Sequence, residues 1–487
     1  MKKIIFTTII SLLFTATVHG QLSLTIEQAM DIAQENSPAL RSSFLNLERY
    51  KQMLIAQRAA LKSNFSLNLS PASYSNRRQF DTRLSQWYTN ENFATSGTFQ
   101  VSQPILKTDG VISLVNNFGW QTNTSNVDGV KNYNDAFTNN LNLQISQPVF
   151  TYNRRKMELK QLEFNLENAN ISYALQRLNT ERQITSQFYA VYTAQSNVTI
   201  SKDEFENVQA SYEIIKNKVE ADLAVKDELY QAELNLATAR SSVDASIVRL
   251  ENAKDQLKQT LGLPLGQDLE VVAKVVIKPV DVDLTMAIEH GLTSRLELRQ
   301  REISGEELEF DLIRTKALNE FKGDISLSLG LSGDNRNFSK IYENPVQNPR
   351  VAITFAIPIF DWGEKKARIK AQKISQEVHE INKEEEIKGI ELDIRQVWRS
   401  LENLRTQISI VEQSVRNAQL AYELNLTRYR EGDITGMQIN QFQTQLSSKK
   451  MEYTQALINY KLELLNLKIL SLFDFEKNAP IVPMKGL

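Results

Sequence analysis

The sequence contains no cysteine in 487 residues. This absence excludes disulfide bonds, thiol catalysis, thiolate metal sites and attachment to a membrane through a lipidated cysteine. Histidine is nearly absent too, and the one resemblance to a zinc motif fails because Lys383 follows His379 where a second histidine is needed. No credible nucleophile and base pair is present. We therefore predict that the protein is not an enzyme and holds no cofactor or metal.

Proline and glycine, the residues that most strongly interrupt helices, are missing from two long stretches. No proline occurs in residues 149–263 or 359–479, and the first of these stretches has a single glycine, Gly262, near its end. Stretches of this length without breakers are typical of very long helices rather than of compact domains. We predict helical hairpins over about residues 152–262 and 362–472.

The chain is close to neutral, with 56 basic and 58 acidic residues. It therefore offers no basic surface for nucleic acid. Residues 1–20 have the features of a secretory signal peptide, because Lys2 and Lys3 precede an apolar run that is too short to span a bilayer comfortably. A retained membrane anchor is the weaker alternative. Removal of the signal would change the formal charge from −2 to 54 − 58 = −4.

Several short segments alternate apolar and polar residues, the pattern of a β-strand with two different faces. Four of them are predicted strands, at about residues 63–71, 137–148, 323–332 and 350–360. Two further strand-like segments, 98–106 and 111–120, lie between the first two strands. They form either an additional strand pair in the main sheet or a hairpin outside it.

The order of helix, strand, strand, long helix, turn and long helix occurs twice in the chain. We predict a first structural repeat over residues 21–279 and a second over residues 280–487, which ends in a short C-terminal tail. Thr25 and Gln28 predict a capping box at the first helix. The turns between the long helices contain the matching sequences "EADL" and "EGDI", which align Glu220, Asp222 and Leu223 with Glu431, Asp433 and Ile434.

The alternating segments favour a membrane sheet, with a soluble sheet as the alternative. Their length of about ten residues suits a tilted transmembrane strand. Their polar faces carry amides and hydroxyls rather than charges, and aromatic residues cluster at their ends. A sheet in lipid cannot leave its edges unpaired, and neither four nor six strands can close a barrel. We therefore predict that several copies of the chain share one barrel.

In these features the chain resembles the outer membrane efflux protein family, the TolC-like exit ducts of tripartite exporters and type I secretion systems. Three features carry the resemblance: the sequence "LTIEQAMDIAQENSPALR" at Leu24–Arg41, the paired junctions "SQPVF" and "AIPIF", and the two turns. The resemblance implies a fold that is mainly α with membrane β. Each protomer has two repeats, which contribute strands to a trimeric outer-membrane β-barrel and long helices to a periplasmic tunnel.

The same resemblance implies a function and partners. The protein would be a passive exit duct in the outer membrane with a long periplasmic extension. It would assemble as a homotrimer in outer-membrane lipid and engage a periplasmic adaptor and an inner-membrane transporter. The alternative from another class is a soluble periplasmic coiled-coil scaffold or adaptor. Neither the exported substrate nor the particular pump follows from the sequence.

The resemblance also implies roles for residues at the two turns. Asp227 and Tyr429 match positions that latch the closed tip of the tunnel, although Ile434 stands where an arginine belongs to the same latch. Gln438 and Gln441 match an acidic ring at the constriction, so a dense ring of negative charge is not expected there. The turn residues implied to contact the adaptor are Ala221, Asp222, Leu223, Gly432, Asp433 and Ile434.

These turn residues also have a simpler, purely structural interpretation. Gly432 would be the C-cap of the helix that precedes it, because glycine readily adopts the left-handed conformation found there. Asp222 and Asp433 would be N-caps of the returning helices, because a short acidic side chain can accept hydrogen bonds from free backbone N–H groups. Both interpretations remain open on the sequence alone.

Overall fold

The computed structural model describes residues 22–82, 85–127, 130–273, 275, 277 and 280–481. The predicted signal peptide, residues 1–20, lies outside the described residues. The chain divides into two compact units. The first contains the residues up to Leu45, Ser172–Leu296 and the residues from Ile387 onward, and the second contains Asn46–Ile171 and Glu297–Glu386.

Eight α-helices, one 3-10 helix at Phe338–Lys340 and ten strands are found in the described residues. The helices are α1 Ile26–Asn36, α2 Pro38–Ala60, α3 Arg154–Glu220, α4 Lys226–Leu261, α5 Leu284–Ser294, α6 Leu296–Lys316, α7 Glu364–Glu431 and α8 Gly436–Ser471. The strands are β1 Leu22–Leu24, β2 Asn64–Asp81, β3 Gln86–Pro104, β4 Val111–Val127, β5 Val130–Val149, β6 Leu269–Val271, β7 Lys322–Asn335, β8 Val346–Ala356, β9 Phe473–Asp474 and β10 Ala479–Pro480.

The second unit is built on a six-stranded antiparallel sheet in the order β2-β3-β4-β5-β7-β8. Its two faces differ in chemistry in the rows that join all six strands. One row across one face consists of Phe65, Val101, Leu114, Leu143, Leu329 and Pro349. The neighbouring row on the other face consists of Asn64, Ser102, Ser113, Gln144, Ser328 and Arg350.

The apolar face of this sheet is exposed rather than packed against a core. Phe65, Leu67 and Ile353 are 67%, 62% and 56% exposed, respectively. An exposed apolar surface of this extent is unusual in a soluble domain and marks a surface that contacts lipid or another protein. The polar face carries mainly hydroxyl and amide side chains.

The sheet differs from the prediction in strand length, and it decides between the two placements left open for residues 98–106 and 111–120. The four strands β2 to β5 have 17 to 20 residues instead of about ten. Their outer halves are rich in Asn, Thr, Ser and Tyr and lack apolar alternation, but the backbone ladder continues regardless of the side chains. The segments predicted at 98–106 and 111–120 belong to β3 and β4 and lie inside the main sheet.

At the other end of the sheet, β8 stops earlier than predicted. It ends at Ala356, whereas the alternation of apolar residues continues to Ile359. Pro358 lacks the N–H group that a strand would donate, so the ladder does not extend through it. The segment that follows leads into α7, with the Asp361 carboxylate accepting hydrogen bonds from the N–H groups of Gly363 and Lys365. These two hydrogen bonds lower the pKa of Asp361.

The junction between β5 and α3 is fixed by the turn between β3 and β4. Asp109 in this turn has φ 64°, and its carboxylate accepts a hydrogen bond from Arg155 Nη1 at 2.6 Å. The Asn153 side chain donates to the carbonyl oxygen of Leu106 at 2.6 Å. The start of the long helix is therefore held by side-chain contacts to a neighbouring hairpin.

The first unit has its apolar core where the short helices and the two-stranded sheet meet the long helices. The parallel pair β1 and β6 covers this core. The predicted capping box at Thr25 and Gln28 is confirmed at the start of α1. The buried core residues are Leu24, Ala29, Ala33, Ile184, Phe188, Val191, Leu257, Leu261, Leu269 and Val271.

None of the described helices combines the length and the hydropathy of a membrane-spanning helix. The described parts of the long helices are instead amphipathic and buried on one side. The helical hairpins predicted at 152–262 and 362–472 correspond to α3 with α4 and to α7 with α8.

Candidate functional site

Two tight turns close the two helical hairpins, and they share one backbone geometry. In the first, the N–H groups of Asp222 and Leu223 donate to the carbonyl oxygens of Val219 and Lys218. In the second, the N–H groups of Gly432 and Asp433 donate to those of Tyr429 and Arg428. These are the paired hydrogen bonds of a Schellman motif, which requires a left-handed residue at its centre.

The left-handed residue is different in the two turns. Asp222 has φ 56° and Gly432 has φ 93°. The alignment of Asp222 with Asp433 is therefore wrong by one residue, because the structural counterpart of Asp222 is Gly432. The error arises because Ala221 lies between the last helical residue, Glu220, and the left-handed Asp222. In the second turn the left-handed Gly432 follows the last helical residue, Glu431, directly.

The predicted capping roles are partly correct. Gly432 has the left-handed conformation expected of a glycine at a helix C-terminus. Asp222 and Asp433 are not N-caps, because the returning helices begin after Val225 and Thr435. Thr435 forms a capping box with Gln438, whereas Val225 makes no side-chain cap. The two carboxylates are instead exposed at the turns, with no hydrogen bond or ion pair in the described part of the chain.

The predicted adaptor-contact residues fall into two groups. Ala221, Asp222, Leu223, Gly432 and Asp433 are exposed, and Leu223 is 78% exposed. Ile434 is half-buried and packs against an apolar cluster that includes Ile215, Tyr429 and Ile439. Five of the six residues are therefore available to a partner, while the sixth stabilises the turn from inside.

Tyr429 belongs to this apolar cluster and is only 2% exposed. Its hydroxyl donates to the carbonyl oxygen of Ser211 at 3.4 Å. The ammonium of Lys218 lies 5.1 Å from the centre of the tyrosine ring and donates to the Tyr429 carbonyl oxygen at 3.4 Å. Tyr429 on α7 is therefore bound to α3 by both its ring and its backbone.

The structure of one chain does not bring the predicted latch pair together. Asp227 is exposed, and it has no hydrogen bond or ion pair among the described residues. Lys218, which the sequence analysis missed, is the charged partner of Tyr429. The sequence contains a signal for this pairing, because Lys218 and Tyr429 each occur two residues before the last residue of a long helix.

The two predicted constriction residues differ in their hydrogen bonding. The Gln438 side-chain oxygen accepts the N–H of Thr435 at 2.9 Å, so this amide is used in the helix cap. Gln441 is exposed, and its amide makes no hydrogen bond within the described ranges. Gln443, which was not predicted, is buried, and its side-chain oxygen has no hydrogen-bond partner among the described residues.

The buried phenol of Tyr429 predicts a pH dependence of stability. Burial, assisted by the nearby carboxylate of Glu228, raises the pKa of Tyr429 to about 12. The pKa of an unfolded tyrosine is about 10. The stability contributed by the neutral phenol is therefore complete below pH 10 and is lost as the pH rises toward 12.

We expect Tyr429→Phe to reduce the fall in melting temperature between pH 10 and pH 12, because phenylalanine has no proton to lose. Melting curves of both proteins across this range measure the effect. Tyr230→Phe is the control, because Tyr230 is 64% exposed on the next helix. An unchanged alkaline fall in the Tyr429→Phe variant would contradict the assignment.

The second half of the chain is similar to a known protein family. Residues 323–471 match the family model described as "Outer membrane efflux protein". This part of the chain, which spans β7 to α8, is therefore similar to the outer membrane efflux protein family. The match confirms the predicted resemblance, and it agrees with the predicted location in the outer membrane. The family is one of transport ducts.

One curated relative is the probable outer membrane lipoprotein SilC of Salmonella typhimurium. It is 20% identical over 259 residues, which are 53% of this chain and 55% of SilC. The chain therefore matches about half the length of this relative.

Solved structures cover more of the chain than the family model does. The Campylobacter jejuni CmeC outer membrane channel has a TM-score of 0.69 at 15% identity, with 92% of this chain and 85% of CmeC covered. The open state of the Neisseria gonorrhoeae MtrE outer membrane channel has a TM-score of 0.65 at 15% identity, with coverages of 92% and 88%. These similarities confirm the predicted fold of the protomer, mainly α with membrane β.

Proposed function

We propose that the protein is the outer-membrane exit duct of a tripartite efflux pump or type I secretion system. Its role would be to conduct substrates passively from a periplasmic adaptor and an inner-membrane pump to the exterior. The observation that carries the proposal is the six-stranded sheet with an exposed apolar face and a polar opposite face. In a barrel the first face contacts lipid and the second lines water.

The proposal includes assembly as a homotrimer. The sheet has two edge strands, β2 and β8, each of which is paired on one side only. Unpaired backbone groups are not tolerated in hydrocarbon, and six strands cannot close a barrel. Further copies of the chain are therefore needed to complete the sheet, and the family resemblance favours three.

Reconstitution separates the duct from the alternative scaffold. We expect the full-length protein to fractionate with the outer membrane, to require detergent for extraction and to produce conductance steps in planar lipid bilayers. Purified protein that stays soluble without detergent and conducts no ions would instead support the soluble periplasmic scaffold. A porin-free preparation from cells lacking the gene is the control for contaminating channels.

The two helical turns are the proposed contact sites for the adaptor. The absence of native cysteine allows a single cysteine to be placed at Leu223, which is 78% exposed. We expect Leu223→Cys with a thiol-reactive photocrosslinker to capture a periplasmic adaptor in intact cells. Leu265→Cys is the matched control, because Leu265 is 61% exposed but lies outside the turns. Equal capture from both positions, or none from Leu223→Cys, would contradict the assignment.

A further inference from the structure

The first half of the sheet contains two hairpins with equivalent strand ends. In β3, the Gln103 side chain donates to the carbonyl oxygens of Leu61 at 3.1 Å and Pro104 at 2.7 Å. In β5, the Gln147 side chain donates to those of Thr108 at 2.7 Å and Pro148 at 2.8 Å. Each Ser-Gln-Pro sequence thus fixes the end of its strand to the turn that precedes the partner strand.

The equivalence extends along the strands. Leu61 and Thr108 are separated by 108 − 61 = 47 residues, and the same offset relates Phe65 to Ile112 and Leu67 to Leu114. All four of these apolar residues lie on the apolar face of the sheet. The β2–β3 hairpin therefore has the same orientation and the same inward and outward faces as the β4–β5 hairpin.

Both hairpins are integral to the membrane sheet. β3 pairs with β2 from Gln86 to Ser102 and with β4 from Tyr88 to Pro104. A β3–β4 hairpin packed outside the sheet would pair neither with β2 nor with β5, whereas both of these pairings are present. The apolar row from Phe65 to Pro349 instead crosses all six strands without interruption.

The direction of the edge strands permits closure by further copies. All neighbours in the sheet are antiparallel, and six strands is an even number, so β2 and β8 run in opposite directions. β8 of one copy can therefore pair in the antiparallel sense with β2 of the next. No additional segment is needed to complete the ring.

We propose that each copy contributes six strands to the shared barrel, so that three copies form an 18-stranded barrel closed by pairing of β8 with β2 of the next copy. This proposal rests on the proposed function. The two-repeat pattern of the sequence alone would give four strands per copy and twelve in total. Because barrel diameter grows roughly linearly with strand number, the extra hairpin makes the pore about 1.5-fold wider.

Electron cryomicroscopy of the assembled full-length protein tests the strand count directly. We expect 18 strands in cross-section. A conducting trimer with twelve barrel strands, and with β3 and β4 outside the barrel, would overturn the inference while leaving the proposed function intact. Protein that neither trimerises nor conducts would instead refute the proposed function.

Deletion of residues 85–127 provides a second test. It removes β3 and β4, so that β2 takes the place of β4 beside β5. The apolar residues of β2 then lie on the face that those of β4 occupy in the wild-type sheet. We expect a trimer whose barrel has twelve strands and about two-thirds of the wild-type diameter. An unchanged diameter would overturn the inference. If the variant fails to assemble, the strand count of the wild-type barrel and the disulfide crosslinks described in the next paragraph test the inference.

The interface between copies is tested by paired cysteines in the cysteine-free background. Ile353→Cys on β8 is combined in turn with Phe65→Cys, Leu67→Cys and Leu69→Cys on β2, all on the exposed apolar face. We expect oxidation to give linked dimers and trimers for at least one pair. The control pair, Ile353→Cys with Leu114→Cys, should give none, because β4 is already paired on both sides within its own copy. Absence of links from all three pairs would contradict pairing of β8 with β2.

Discussion

Replacing Gly262 with alanine is expected to destabilise the protein by roughly 2 to 4 kcal/mol. Gly262 ends α4 in the left-handed conformation, with φ 73° and ψ 25°. A non-glycine residue is strained there by about 1 to 2 kcal/mol. A β-carbon at this position would also lie 2.9 Å from the carbonyl carbon of Asn36 and nearer still to its oxygen. Because these are backbone atoms, α1 or α4 would have to move.

The matched control for this substitution lies four residues away in the same loop. A β-carbon on Gly266 would meet no atom within 4 Å, and its φ lies outside the left-handed range. We expect Gly266→Ala to leave the melting temperature unchanged and Gly262→Ala to lower it. Thermal melting of the purified protein measures both. Equal melting temperatures for the two variants would contradict the packing described between the end of α4 and Asn36.

Replacing Gln441 with aspartate is expected to convert a weakly selective channel into a cation-selective one. Gln441 is exposed near the start of α8 and has no hydrogen bond within the described ranges, so the substitution should not disturb the fold. In the proposed trimer it would add one negative charge per copy near the tunnel tip. Charged rings of this kind set the ion preference of a pore.

Reversal potentials in planar bilayers with a salt gradient measure this change. We expect the wild-type ratio of potassium to chloride permeability to be close to one and the Gln441→Asp ratio to rise several-fold. Gln455→Asp is the control, because it adds the same charge at another exposed position about 21 Å farther along α8. Equal selectivity of the two variants would place Gln441 outside the constriction.

Much of the fold follows from local sequence patterns. The absence of proline and glycine from two long stretches predicts the helical hairpins, since helix length depends mainly on where breakers occur. Alternation of apolar and polar residues predicts the strands, since it reports one apolar face. The capping box at Thr25 and Gln28 is also predictable from the sequence, because both partners lie within one turn of helix.

Features that depend on partners far apart in the sequence cannot be predicted from local sequence patterns. The outer halves of β2 to β5 lack apolar alternation and become strands because neighbouring strands supply backbone hydrogen-bond partners. The turn alignment fails by one residue because the left-handed position depends on backbone conformation, which aspartate and glycine can both adopt. Ile434 is a plausible surface residue by sequence, but the packing of α3 against α7 encloses it.

The sequence by itself determined the family resemblance, the two-repeat pattern and the chemistry of the two sheet faces, because each is encoded in residue type and spacing. Only the tertiary structure decided that β3 and β4 belong to the main sheet and that Lys218 is the charged partner of Tyr429 within one chain. Both outcomes depend on which elements become neighbours in space. Local periodicity carries no information about such pairings, so they follow only from the packed structure.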